Sequence, residues 1–75
     1  MSAATVLATS ASWRVGRWRC RLEVEQQGAD FVALTRWEPD WPDQLDSAEV
    51  DQLRAGRAIA KSQIEAALGR PVVLK

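Results

Sequence analysis

Arg36-Trp37-Glu38-Pro39-Asp40-Trp41-Pro42-Asp43 divides the chain into halves with different hydrophobic periods. Upstream, apolar residues alternate with polar ones; downstream they recur every three or four positions. Pro39 and Pro42 cannot donate to a strand ladder, and each biases the residue before it, Glu38 or Trp41, toward extended backbone. The stretch therefore ends a strand and precedes a helix, which points to an α+β fold.

Immediately upstream lies the strand signal. Trp18, Cys20, Leu22 and Val24 share one parity, and Arg17, Arg19, Arg21, Glu23 and Glu25 share the other. That is the pattern of a half-buried antiparallel strand. Trp13 and Val15 have the opposite parity from Trp18, and a bulge at Gly16 would bring both sets onto one face. Gln26–Ala29 supplies a turn. With Gln27-Gly28 at its centre, Val24 faces Phe31, Leu22 faces Ala33, Cys20 faces Thr35, Trp18 faces Trp37, and Arg17 falls opposite Glu38. A one-residue slip would instead bury Val32 and Leu34; the Trp18–Trp37 aromatic pair favours the first register.

The downstream half begins with agreeing helix signals. Asp46 can cap, Glu49 completes a capping box, and Leu45 and Val50 stand where a hydrophobic staple needs them. Gly69-Arg70-Pro71 is a stop. A helix over Ser47–Leu68 follows, about six turns at 3.6 residues each. Its apolar stripe is Val50, Leu53, Ala60, Ile64, Ala67 and Leu68. Gly56 flanks the stripe and permits close approach, while Arg57 interrupts it. An arginine there either pairs with Glu38, Asp40 or a loop carbonyl, or lays its stem over Trp41 and reaches water. Val72-Val73-Leu74 is long enough for one more strand on the hairpin edge. The expected fold is a ββαβ unit, a hairpin plus a short C-terminal strand packed against one long helix. Residues 1–12, small and uncharged, read as a flexible N-terminal tail, the alternative being a short strand over 5–8; residues 13–75 form the single domain.

Seventy-five residues with one cysteine and no histidine leave out an internal disulfide and a zinc cluster as sources of stability. What remains is packing, with four tryptophans as its main resource, or self-association. Net charge is zero, so no overall attraction to polyanions is expected, but its distribution is uneven. Residues 38–51 carry six acids and no base, whereas residues 1–37 carry five arginines against three acids. No apolar run approaches a membrane span, and Val6-Leu7 is too short for a signal segment. A cytoplasmic location is expected, and the lone cysteine fits a reducing compartment.

Chemistry has little support in the residues. Cys20 falls on the apolar face, Ser47 and Ser62 have no base nearby in sequence, and neither a phosphate loop nor a calcium-loop pattern is present. No catalytic residue, cofactor, metal or small-molecule substrate is expected, and the chain reads as non-enzymatic.

Three surfaces remain. Glu38, Asp40, Asp43, Asp46, Glu49 and Asp51 form an acidic edge, of which the last three also suit a helix start, and Asp40 and Asp43 turns beside proline. Trp41 reads as a lid over the core or as an exposed anchor for a partner, Trp37 as core, and Trp13 as the tryptophan left for solvent or an interface. Ile59, with Ala55 and Ala66, makes a second helix stripe suited to a homodimer. The leading expectation is a small protein-interaction or accessory module, acting through Glu38, Asp40, Trp41, Asp43 and Ile59 on a protein partner or on itself. A short chain of this kind suits a regulator or inhibitor carried on a mobile element. The alternative is nucleic-acid binding through Arg14, Arg17, Arg19, Arg21 and Arg36, since guanidinium groups in a row can fork onto phosphates.

Overall fold

The alternating half folds into three strands where the sequence suggests two. The computed structural model describes the backbone of residues 5–75 and the side chains of residues 10–75. In chain order the elements are β1 (Thr5–Val15), β2 (Trp18–Gln27), β3 (Asp30–Glu38), α1 (Ser47–Leu68) and β4 (Val73–Leu74). The fold is α+β, a mixed sheet in the order β1-β2-β3-β4 with one long helix against it. β1–β2 and β2–β3 pair antiparallel, and β4 adds parallel to β3.

Gly16 is a turn, not a bulge. Val15 pairs with Trp18 across Gly16-Arg17, and Gly16 holds a φ of +56°. A glycine with positive φ at the first central position is the type II′ pattern, whose twist matches that of the flanking strands. Chain reversal, rather than one extra residue, puts Trp13 and Val15 on the same face as Trp18 and Cys20. Residues 5–12, expected as a tail or in part as a short strand over 5–8, belong to β1; residues 1–4 lie outside the described residues. Small uncharged residues carry little strand signal of their own. Here they extend a ladder whose partner, β2, is already defined, with an irregularity between Val6 and Ser10.

The second turn sits one residue later than expected. Gln27 pairs with Asp30 across Gly28-Ala29, and Gly28 again has a positive φ, +63°. The register therefore shifts by two: Val24 faces Ala33, Leu22 faces Thr35, Cys20 faces Trp37, and Arg19 rather than Arg17 faces Glu38. A two-residue shift preserves parity, so the apolar face is the expected one. Trp18 and Trp37 become diagonal neighbours and still meet edge to face, with centroids 6.4 Å apart.

The helix matches its sequence signals at both ends. Asp46 accepts from the Glu49 N–H at 2.7 Å, and the Glu49 carboxylate accepts from the Asp46 N–H at 3.0 Å, which completes the capping box. Gly69 closes the other end in the left-handed region, its N–H donating to the Glu65 carbonyl. Ala60 and Ile64 are buried against Leu22, Val24, Ala33 and Val72. The helix packs chiefly on β1 and only slightly on β2. It runs antiparallel to β1: the Gly16 N–H donates to Gln52 Oε1 at 2.8 Å, and Gly56 lies against Trp13 one turn further on. The backbone of Gly56 meets the indole so closely that a Cβ there would overlap the ring. Trp13, expected at the surface, is thus packed against the core.

Two C-terminal contacts hold β4. The Val72 N–H donates to Glu65 at 3.0 Å, and the Lys75 N–H donates to the Ala33 carbonyl at 3.0 Å. Arg70 lies 4.2 Å above the Phe31 ring and donates to the Ala29 carbonyl at 3.1 Å, joining the helix exit to the β2–β3 turn.

Candidate functional site

Because α1 sits over β1, the far end of β3 is left without a helix above it. A hollow of about 420 Å³ opens there. β3 contributes Leu34, Thr35, Arg36 and Trp37, α1 contributes Leu53 and Arg57, and the loop after β3 contributes Trp41, with Lys75 closing one side. Trp37 is half-buried between two other indoles, edge-on to Trp18 on one side and tilted toward Trp41 on the other, at 6.0 Å between centroids. Trp41 itself is 73% exposed. The lid expectation is therefore corrected: Trp41 stands as one wall of an open groove. The chain leaves β3 through a cis Glu38–Pro39 bond, and Trp41 follows in this proline-flanked loop.

Arg57 does not form the expected ion pair with Glu38 or Asp40: it is half-buried, it lines the groove together with Trp41, and no carboxylate pairs with it among the described residues. The groove also contains a polar atom with unmet bonding capacity, Thr35 Oγ1, which is buried and has no partner among the described residues.

The outer face of the sheet carries the arginines. Arg14 is the direct cross-strand partner of Arg19, and Arg21 of Arg36. Glu23 resolves the second pair by accepting from Arg21 at 2.6 Å and from Arg36 at 2.9 Å. The Arg36 hydrogen bond, helped by the charge of Arg21, holds the Glu23 carboxyl below the usual carboxylate range. Arg14 and Arg19 have no such carboxylate among the described residues; with Arg17, Glu38 and Pro39 they line a shallow depression. Arg17 is turned onto the Trp18 ring, 4.8 Å from its centroid. The five arginines thus share one surface, but two of them are occupied by Glu23.

Of the acidic residues, Asp46 and Glu49 are used in the capping box, whereas Glu38, Asp40 and Asp43 are exposed. Among the described residues, no group of three or more acids or cysteines could hold a metal ion. Ile59 is 60% exposed, on the side of α1 turned away from Leu53 and Arg57. It does not join the groove. Cys20 is fully buried, and burial pushes its thiol up to about 11, which makes it a poor nucleophile. No helix among the described residues is long and apolar enough to cross a membrane.

Leu34, Thr35, Leu53 and Lys75, which line the groove, belong to none of the surfaces expected from the sequence. The pairing of β4 with only Val32 and Ala33, which leaves the rest of β3 to line the hollow, has no signal in local periodicity. Compared with known proteins, the chain matches no family model, no curated protein and no solved structure.

Proposed function

We propose that this protein is a small, cytoplasmic, non-enzymatic interaction module that docks another protein in the groove walled by Trp37, Trp41, Leu53 and Arg57. The observation that carries the reading is the exposed indole of Trp41 leaning on a half-buried Trp37 above an apolar floor. Leaving an indole in water forgoes on the order of 2 kcal/mol of burial energy, which a partner surface would recover. Tryptophan and arginine side by side are also the residue types that dominate binding hot spots. Glu38, Asp40 and Asp43 are exposed at the end of β3 and in the loop that carries Trp41, an acidic stretch suited to steering a partner with basic residues outside the contact.

Co-purification of the tagged protein from its native host, with light scattering on the product, tests this. The wild-type chain should retain a stoichiometric partner. Trp41→Ala and Leu53→Ala should lose it by tenfold or more, and charge reversal at Asp40 and Asp43 should weaken it. A chain that purifies alone as a monomer, or a partner indifferent to all of these changes, defeats the proposal.

A second reading, polyanion binding on the outer face, is favoured by one observation: Arg14 and Arg19 are opposed across two strands and, although Glu38 faces Arg19 from β3, neither is in a salt bridge among the described residues. Like charges directly opposite are unfavourable in a sheet, and an anion would relieve them. A salt titration of binding to duplex and single-stranded DNA decides it; no binding at low salt removes the reading.

A further inference from the structure

We propose that the groove takes an extended segment of its partner as an added strand on the open edge of β3, with apolar side chains against Trp37, Trp41 and Leu53 and an acidic side chain on Arg57. This rests on the groove being the docking face.

The backbone supplies the first reason. The Ala33 carbonyl accepts from Lys75, so Ala33 directs its polar groups toward the β4 side. Alternation along a strand turns Thr35 and Trp37 the same way. Pairing with β4 stops at Ala33, and among the described residues nothing bonds to the edge-facing N–H and C=O groups of Thr35 and Trp37. A partner covering this edge must satisfy those groups, because burying them unpaired is costly. A strand satisfies them in its own period; a helix, whose backbone groups are bonded internally, does not.

The second reason is the line the groove follows. Leu34, Thr35, Arg36 and Trp37 are consecutive and of both parities, yet all of them line it. A hollow on one face of the sheet would be lined by every second residue. This one runs along the edge, where an added strand would lie.

Charge selects the occupant. The charged side chains lining it are those of Arg36, Arg57 and Lys75, with no acidic side chain among them. Arg36 is held by Glu23 at 2.9 Å, which leaves Arg57 facing the hollow without a counter-charge among the described residues. A second copy of this chain, added edge to edge about a two-fold axis, would bring this cationic lining against itself. An extended segment alternating apolar and acidic residues fits instead.

The test is selection from a displayed library of random ten-residue peptides on the purified protein, followed by amide hydrogen exchange with the best binder. Enriched peptides should alternate apolar and acidic residues. N-methylation of their edge-facing amides should weaken binding at least tenfold. The Thr35 and Trp37 amides should exchange quickly in the free protein and slow at least tenfold in the complex, while those of Leu34 and Arg36, which face β2, should change little. Arg57→Glu should shift selection from acidic to basic peptides, a reversal that general destabilisation cannot produce. Absence of enrichment, enrichment at helical spacing, indifference to N-methylation or unaltered exchange at Thr35 and Trp37 overturns strand addition. If a host partner still depends on Trp41 in that case, the docking reading survives without it; if none does, both fail.

Discussion

The indole of Trp13 rests directly on the backbone of Gly56, with no room for a methyl group between them. Glycine in a helix interior costs about 1 kcal/mol relative to alanine, so its presence mid-helix needs a packing reason. Gly56→Ala should destabilise the protein by up to about 2 kcal/mol, since overpacking of as much as about 3 kcal/mol outweighs a gain of about 1 kcal/mol in helix propensity. In a Trp13→Leu background the same change should become neutral or stabilising. Urea denaturation of the four proteins in this double-mutant cycle measures the sign change.

Trp41 should behave oppositely to Trp13. Trp13→Ala removes a packed ring and should cost about 3–5 kcal/mol. Trp41 is mostly in water and touches the fold through Trp37, so Trp41→Ala should cost no more than about 1 kcal/mol, the scale of one aromatic pair. Thermal melts of the two variants should separate them widely. A large loss of melting temperature in Trp41→Ala would mean that the groove is closed in solution.

Arg14→Glu should stabilise the sheet. It turns a like-charge pair with Arg19 into an opposite-charge pair, worth roughly 0.2–1 kcal/mol. The same change should abolish any low-salt DNA binding through this face. A gain in stability with unchanged DNA binding would show that the arginines are only a solvated surface.

Cys20 should resist thiol reagents in the folded protein, labelling only as fast as the chain opens. Its pH effect has a definite sign. Burial raises the folded thiol from 9.0 to about 11, so the stabilisation is intact below pH 9 and declines as pH rises toward 11, where the unfolded chain ionises and the folded chain does not. The urea midpoint of wild type should therefore fall relative to Cys20→Ala across that window.

Glu65 ties β4 to the helix. The Val72 N–H first, and Lys61 second, hold its carboxyl below its ordinary value of 4.5. A lowered folded value means that the tie is present above pH 4.5 and is lost as pH falls through the folded pKa. The protection factor of the Val72 amide should drop over that range in wild type. In Glu65→Gln it should be lower at neutral pH and flat.

The parts of the fold legible in the sequence were those with redundant local signals. Asp46, Glu49 and Gly69 set both ends of α1, and the parity of Trp18 to Val24 set the buried face. Gly56 was legible as a close approach, but not what approaches it. The misread parts depend on partners distant in sequence. A glycine between two strand segments reads equally as bulge or turn until its pairing is known, so β1 was hidden behind Gly16. The exposure of Trp41 and Trp37 depends on where the helix lies across the sheet, and a helix stripe does not specify which strand it covers. The acids and arginines were legible, but their pairing state, with Glu23 serving Arg21 and Arg36 and no salt bridge to Arg14 or Arg19 among the described residues, required the register.

Both hairpins close through two-residue turns, so β1 pairs with β2, and β2 with β3, as chain neighbours. The helix, however, rests on the strand farthest from it in sequence. The meander can form through short loop closures, whereas docking α1 on β1 must close the longest one. Glycine replacement at position 16 should thus slow refolding, while changes on the Trp13–Gly56 contact should act mainly on the unfolding rate.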